Sequence, residues 1–178
     1  IKDELISTMS KSGFNNTVLG IESPVPKVLK YLDKTKNVNK YINQISKSIE
    51  IMSKYLDTLE LGLIIGTPVE TKKDILEMVE FIKRIKKKYN DRFKNLRFAL
   101  GKLIAYPGTK LWEDYKNNKI ELIMLKKDLY TKFEEYFFKP LRNIPWAVPW
   151  YYTIKNNNFD DQRDYNKFLS GIISKYSN

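Results

Sequence analysis

Thr58-Leu59-Glu60-Leu61-Gly62-Leu63-Ile64-Ile65, followed at once by Gly66-Thr67-Pro68-Val69-Glu70-Thr71, is the stretch that decides the fold. Leu59, Leu61, Leu63, Ile64 and Ile65 make a nearly continuous apolar run of strand length, as expected where both faces of a sheet are covered. Thr67-Pro68 turns the chain, and Thr71-Lys72-Lys73-Asp74 opens a helix with a capping-box-like signal. The core face of that helix is Ile75, Met78, Val79, Ile82 and Ile85.

The same strand–turn–helix unit recurs on either side. Upstream, the run from Asn16 to Ile21 reads as a strand ending in Gly20-Ile21-Glu22-Ser23. A helical pattern then runs from Pro26 to Tyr55, with a break near Lys34 to Asn39. Downstream, Leu96 to Ala105 reads as a third strand leading into Ile104-Ala105-Tyr106-Pro107-Gly108-Thr109 and a short helical piece from Leu111 to Asn117. Repeated units of this kind predict an α/β fold with a parallel sheet. The carboxyl ends of its strands open on one side, where such folds place ligands.

The flanks are mainly helical. Lys2 to Ser12 reads as a helix stopped by Gly13. Glu121 to Lys139 and Asp161 to Tyr176 read as helices, the latter with Tyr165, Phe168, Leu169 and Ile172 inward. Between them lie a Pro- and Trp-rich loop from Ile144 to Tyr152 and an Asn156-Asn157-Asn158 turn or link. The domain organisation expected is residues 1–115 as the α/β part and 116–178 as a helical and loop extension.

Composition bounds the chemistry. The chain has 178 residues, 42% hydrophobic and 30% charged, which suits a globular protein with a real core. No apolar run approaches the ~20 residues of a membrane span. Cysteine and histidine are both absent, so the chain itself builds no disulfide, no cysteine-held metal centre and no histidine triad. Absent cysteine fits a reducing, cytoplasmic setting. The first residue is Ile1, which reads as a piece of a longer polypeptide. The net charge of +11 comes mostly from lysines scattered over helix faces, without the interleaved arginine and aromatics of a stacking platform. A basic, non-enzymatic module for nucleic acid or an acidic partner is the alternative function.

Each strand end admits two readings. Glu22, with Ser23 beside it, is placed either to accept hydrogen bonds from a ribose hydroxyl or amino group, or to act as an acid near a helix start. Gly66 either lets a flat ring approach the backbone, with Ile64 or Ile65 as an apolar face, or makes a tight turn. Tyr106 sits in a strong turn signal and is able to stack on a ligand.

The ordered set Gly-Ile-Glu-Ser at residues 20–23, Gly-x-Ile-x-Gly at 62–66 with Glu70-Thr71, and Tyr-Pro-Gly-Thr-x-Leu at 106–111 resembles the second half of a radical S-adenosylmethionine enzyme. The similarity is to the group that often carries an upstream cobalamin-binding domain and to methylthiotransferase-like proteins. It implies strands four to six of a partial (β/α) barrel. By resemblance, Glu22 and Ser23 lie beside the ribose and methionyl parts of S-adenosylmethionine. Ile64, Ile65 and Gly66 lie against its adenine, and the backbone of Ile104 to Tyr106 closes that pocket. The resemblance also implies a 4Fe-4S cluster held by an upstream half of the same polypeptide, since this chain lacks the family's cysteine loop and is inactive alone. A half barrel exposes the edge near Thr17 to Ile21, which predicts self-association or covering by the tail.

Overall fold

The computed structural model describes residues 1–106, 108–124 and 152–177. In chain order the elements are α1 (Asp3–Lys11), β1 (Asn16–Glu22), α2 (Pro26–Tyr31), α3 (Val38–Met52), β2 (Thr58–Ile65), α4 (Lys72–Tyr89), a 3-10 turn (Asn90–Arg92), β3 (Asn95–Lys102), α5 (Lys110–Lys116), β4 (Leu122–Met124), β5 (Tyr152–Ile154) and α6 (Gln162–Tyr176). The three long strands form one parallel sheet in the order β1-β2-β3, so the expected parallel pairing is present. β4 and β5 pair antiparallel in a separate two-stranded sheet.

Helices cover one face of the parallel sheet. Leu59, Leu61, Leu63 and Ile65 of β2 alternate inward with Leu96, Phe98 and Leu100 of β3, and all are buried. They meet Ile45, Ile49 and Met52 of α3, Ile75, Met78, Phe81, Ile82 and Ile85 of α4, and Tyr165 and Leu169 of α6 in a single apolar cluster. Apolar burial on this scale is the main stabilising term, at about 25 cal/mol per Å². The opposite face is not covered in the same way. Val18, Gly20, Arg97 and Gly101 are exposed there, and Glu60, Gly62, Ile64 and Ala99 are half-buried. β2 is therefore not buried on both faces, contrary to the reading of its apolar run. The Leu63-Ile64-Ile65 triplet hides the alternation, because Ile64 is apolar although it faces outward. β1 is an edge of this sheet among the described residues.

Local signals account for the element ends. Thr71 and Asp74 form the expected reciprocal capping box at the start of α4. Lys27 of α2 adds an ion pair to Asp74 at 2.5 Å, tying α2 to α4. Although burial works against the charge on Asp74, Lys27 and Thr71 hold its carboxyl below the usual range. Pro26 occupies the first turn of α2. The break expected near Lys34 to Asn39 in the helical stretch 26–55 is found between α2 and α3, and it opens with a Schellman ending: Lys34 N–H donates to Leu29 C=O at 3.1 Å and Asp33 N–H to Lys30 C=O at 3.2 Å. Asp33 takes the left-handed position, φ 49°, where glycine is the usual residue. Asp33 is exposed. Asp33→Gly is therefore expected to stabilise the protein by about 1 kcal/mol. A melting curve should show a rise of about 3 °C, at about 2–4 °C per kcal/mol for a chain of this size.

Two further expectations change at the carboxyl-terminal side. The helix expected from Glu121 begins instead as the strand β4, and its remainder lies outside the described residues. The Pro- and Trp-rich segment also lies outside them, except Tyr152, which opens β5. The Asn156 turn is not a loose link, since Asn156 is fully buried.

Candidate functional site at the carboxyl ends of the strands

The parallel register brings the ends of β1, β2 and β3 to one rim. Gly20 pairs with Gly62, which pairs with Ala99; Ile65 pairs with Lys102. At the end of β1 the ladder slips between Gly20 and Glu22. Ile21 points into the core, fully buried, and the chain then bends sharply. Ser23 N–H donates to Ile21 C=O at 2.7 Å, and Glu22 between them takes φ 60°. A hydrogen bond spanning a central residue of positive φ is the rarer and more strained γ-turn. Holding a non-glycine residue in such a conformation costs about 1–3 kcal/mol.

The turn folds the Glu22 side chain back over Gly20. Its Oε1 stands 3.1 Å from where a Cβ on Gly20 would be, so a larger residue at position 20 would push the carboxylate back by a few tenths of an ångström. The same oxygen accepts from Lys34 Nζ at 2.8 Å. Hydrogen bonding to Glu22 holds the Lys34 ammonium above its ordinary range, so Lys34 is cationic at neutral pH. Tyr41 donates its hydroxyl to Gly20 C=O at 3.3 Å. Burial pushes the Tyr41 phenol up, so it stays protonated. A carboxylate, an ammonium and a phenol thus meet at the end of β1, beside the small residues Gly20, Gly62 and Ala99.

The other residues singled out in the sequence spread away from this group. Ser23 is fully buried, and its hydroxyl accepts from Val25 N–H at 3.1 Å. Ile64 lies on the uncovered sheet face, while Ile65 belongs to the core. Gly66 has φ 91°, and a Cβ there would meet Leu169 Cδ1 at 3.4 Å and the Tyr165 hydroxyl at 3.8 Å. The flat ring near Gly66 in this structure belongs to α6. Ile104 is half-buried, and Tyr106 is exposed. Lys34 and Tyr41 were missed in the sequence. They come from the α2–α3 segment, where a lysine and a tyrosine among many carry no distinguishing spacing.

The β2–α4 loop is closed by protein groups. Glu70 is buried, and one carboxylate oxygen accepts from Gly66 N–H at 2.8 Å, Thr67 N–H at 2.6 Å and Thr67 Oγ1–H at 3.0 Å. Burial raises the Glu70 carboxyl against the opposing pull of those three donors. Asn156 Nδ2 donates to Thr67 C=O at 3.1 Å and Glu70 C=O at 2.7 Å, which seals the loop from the carboxyl-terminal side.

No protein-family model matches the chain. One curated relative is an uncharacterized methyltransferase from Pyrococcus horikoshii. It is 27% identical over 123 residues, covering 68% of this chain and 24% of the relative. The match thus spans about a quarter of the relative's length.

These findings correct the kinship with radical S-adenosylmethionine enzymes read from the three strand-end motifs. The matched relative is described as a methyltransferase, and nothing found connects the chain with radical chemistry. The iron–sulfur assignment goes with it. The chain has no cysteine, and among the described residues no group of three or more His, Cys, Asp or Glu is placed to hold a metal. Nothing supports a cobalamin domain. The motifs have local physical causes: a γ-turn at Glu22, close packing of α6 on Gly66, and the turn in which Thr109 Oγ1–H donates to Tyr106 C=O at 2.6 Å before capping α5. Short turn signals of this kind arise wherever a strand hands over to a helix. Among the described residues no helix is long and apolar enough to cross a membrane.

Proposed function

We propose that this chain supplies part of the S-adenosylmethionine site of a methyltransferase, with Glu22 and Lys34 as its principal contacts. The observation that carries the reading is the strained Glu22 turn at the carboxyl end of a parallel strand, with its carboxylate paired to Lys34. Strain of this kind persists where the surrounding structure enforces it, and it concentrates at binding sites. The description of the Pyrococcus horikoshii relative supports the reaction class.

The donor set fits the cofactor's amino-acid end. That group is a zwitterion. Glu22 accepts from an ammonium and Lys34 donates to a carboxylate, so the ligand replaces the internal ion pair by two matched ones. Tyr41 keeps Gly20 and the turn in place through its bond to Gly20 C=O. When bound, S-adenosylmethionine supplies a methyl group on a sulfonium centre. The residues named here bind and orient it.

A sheet wound in the order β1-β2-β3 with helices on one face suits an arc of a (β/α) barrel, with the uncovered face turned inward. In this reading the β1 edge is continued by further strands of a longer polypeptide or by a second copy. The basic-module alternative gains nothing from the structure. Part of the charge on α4 is internally paired, as in Lys83–Glu80 and Lys88–Glu50.

Calorimetric titration with S-adenosylmethionine tests the reading. Glu22→Gln is expected to weaken binding about tenfold or more, the effect of a charge-assisted hydrogen bond. Affinity unchanged within about twofold removes Glu22 from the site.

A further inference from the structure

Among the many lysines of this chain, Lys102 has an unusual setting. Leu96, Phe98 and Leu100 of β3 point to the helix-covered side of the sheet. Lys102, two positions further along and at the end of the strand, points the same way. It is half-buried and pairs across the ladder with the core residue Ile65 of β2. Among the described residues its Nζ has a single hydrogen-bond partner, the side-chain oxygen of Asn166 in α6.

An ammonium that gives up part of its hydration is normally compensated by a carboxylate. Lys34, Lys54 and Lys83 have one, in Glu22, Asp3 and Glu80, and the bond to it holds each of them above the ordinary lysine range. Lys102 has only a neutral amide oxygen. Burial, offset by no carboxylate, holds it below that range. A larger share of this side chain is therefore the free amine, the form in which a desolvated lysine acts as a nucleophile. Donating one N–H to Asn166 leaves the lone pair of that amine uncommitted.

We propose that Lys102 is a site of acylation by small activated acyl donors of the acyl phosphate class. The Nζ lone pair attacks the carbonyl carbon and an N–C bond forms. The C–O bond to phosphate breaks, inorganic phosphate leaves with that electron pair, and the proton lost by nitrogen passes to water. The half-buried position restricts the donor to a small one. The product is a neutral amide, so the charge that burial penalises is gone. Its remaining N–H can still donate to Asn166. The modified residue lies where α6 is fastened to the end of β3. The site is independent of the methyltransferase reading, because Lys102 is on the helix-covered side of the sheet and its test involves no S-adenosylmethionine.

The test treats the folded protein with acetyl phosphate near neutral pH and follows each lysine by peptide mass spectrometry. Lys47, Lys73 and Lys87 are exposed and make no ion pair among the described residues, so they set the reference. Lys102 is expected to acetylate about tenfold faster than these three, since the free amine is the reacting form. Asn166→Asp places a carboxylate beside Nζ at nearly the same size. It is expected to slow Lys102 about tenfold by favouring the ammonium, with the three reference lysines unchanged. A Lys102 rate no greater than the reference rates overturns the proposal. So does an unchanged Lys102 rate in the Asp variant, which would assign its reactivity to exposure and not to the missing carboxylate.

Discussion

Glu70→Leu is expected to destabilise the protein by about 4 kcal/mol, because each buried donor left without an acceptor costs about 1–3 kcal/mol. Leucine fills similar space but accepts nothing. The amides of Gly66 and Thr67 and the Thr67 hydroxyl all donate to one Glu70 oxygen, and Glu70 is only 1% exposed. The loop cannot rearrange freely to reach water, since Gly66 sits under Leu169 and Tyr165. The melting temperature should fall by about 12 °C, at about 2–4 °C per kcal/mol. Glu70→Gln keeps an acceptor oxygen in place and should cost much less.

The glutamine variant also isolates a pH effect. Burial raises the Glu70 carboxyl above its usual 4.5, so the folded state holds this proton more tightly than the unfolded state does. For an acid shifted upward, the stabilisation is fully present below the unfolded value and is lost as pH rises through the folded one. The stability of the wild type minus that of Glu70→Gln should therefore decline as pH rises from about 4.5. Urea denaturation across a pH series measures it. A difference that instead grew with pH would show that the three donors outweigh burial.

Asn156→Ala is the second large effect expected, a loss of about 3 kcal/mol from several lost buried hydrogen bonds and a lost turn, although Thr67 C=O keeps its bond from Glu70 N–H and Glu70 C=O its bond from Asn158 Nδ2. Asn156 is fully buried, and its side chain works in both directions. Its Nδ2 donates to Thr67 and Glu70 C=O, and its Oδ1 accepts from Asn158 N–H and Nδ2, each at 2.9 Å. Gln162 clamps the same residue through the backbone, donating from Nε2 to Asn156 C=O at 2.8 Å and accepting from Asn156 N–H at 2.9 Å. Alanine removes every side-chain bond while leaving the clamp. Asn156→Asp is no rescue. It sets a second acceptor against two carbonyl oxygens and adds negative charge near the buried Glu70. Thermal unfolding of both variants decides this, and an Asp variant as stable as the wild type would reverse the assigned amide orientation.

Much of the frame is legible along the chain. The β2 boundaries and the Thr71–Asp74 capping box follow from local patterns, and both are found as read. The inward face of α6, with Tyr165 and Leu169 buried and Phe168 and Ile172 packed beside them, follows from helical spacing. Periodicity reports burial well when the two faces differ in polarity. It failed at Ile64, where an apolar side chain sits on the uncovered face, and so β2 read as buried on both sides.

The candidate site was only half legible. An acid just past an apolar strand marks Glu22, but no pattern announces its positive φ or its ion pair with Lys34. Those depend on a strand slip and on the path of α2. Asn156 was invisible for a different reason. Consecutive asparagines signal a turn, and only the tertiary fold reveals that the turn is driven into a loop nearly ninety positions earlier. The kinship read from three short motifs went astray because each motif satisfies a local backbone need that many βα units share.

The seal made by Asn156 and α6 bears on how the protein emerges during synthesis. Its sheet is assembled by Lys102, yet the underside of Gly66 stays uncovered until Leu169 has left the ribosome. A nascent chain paused in between would display Ile65, Leu63 and Phe98 without part of their cover, and sticky surface of that sort is what chaperones bind. Closure by so distant a segment adds long-range contacts of the kind that slow folding, with α6 as the clasp.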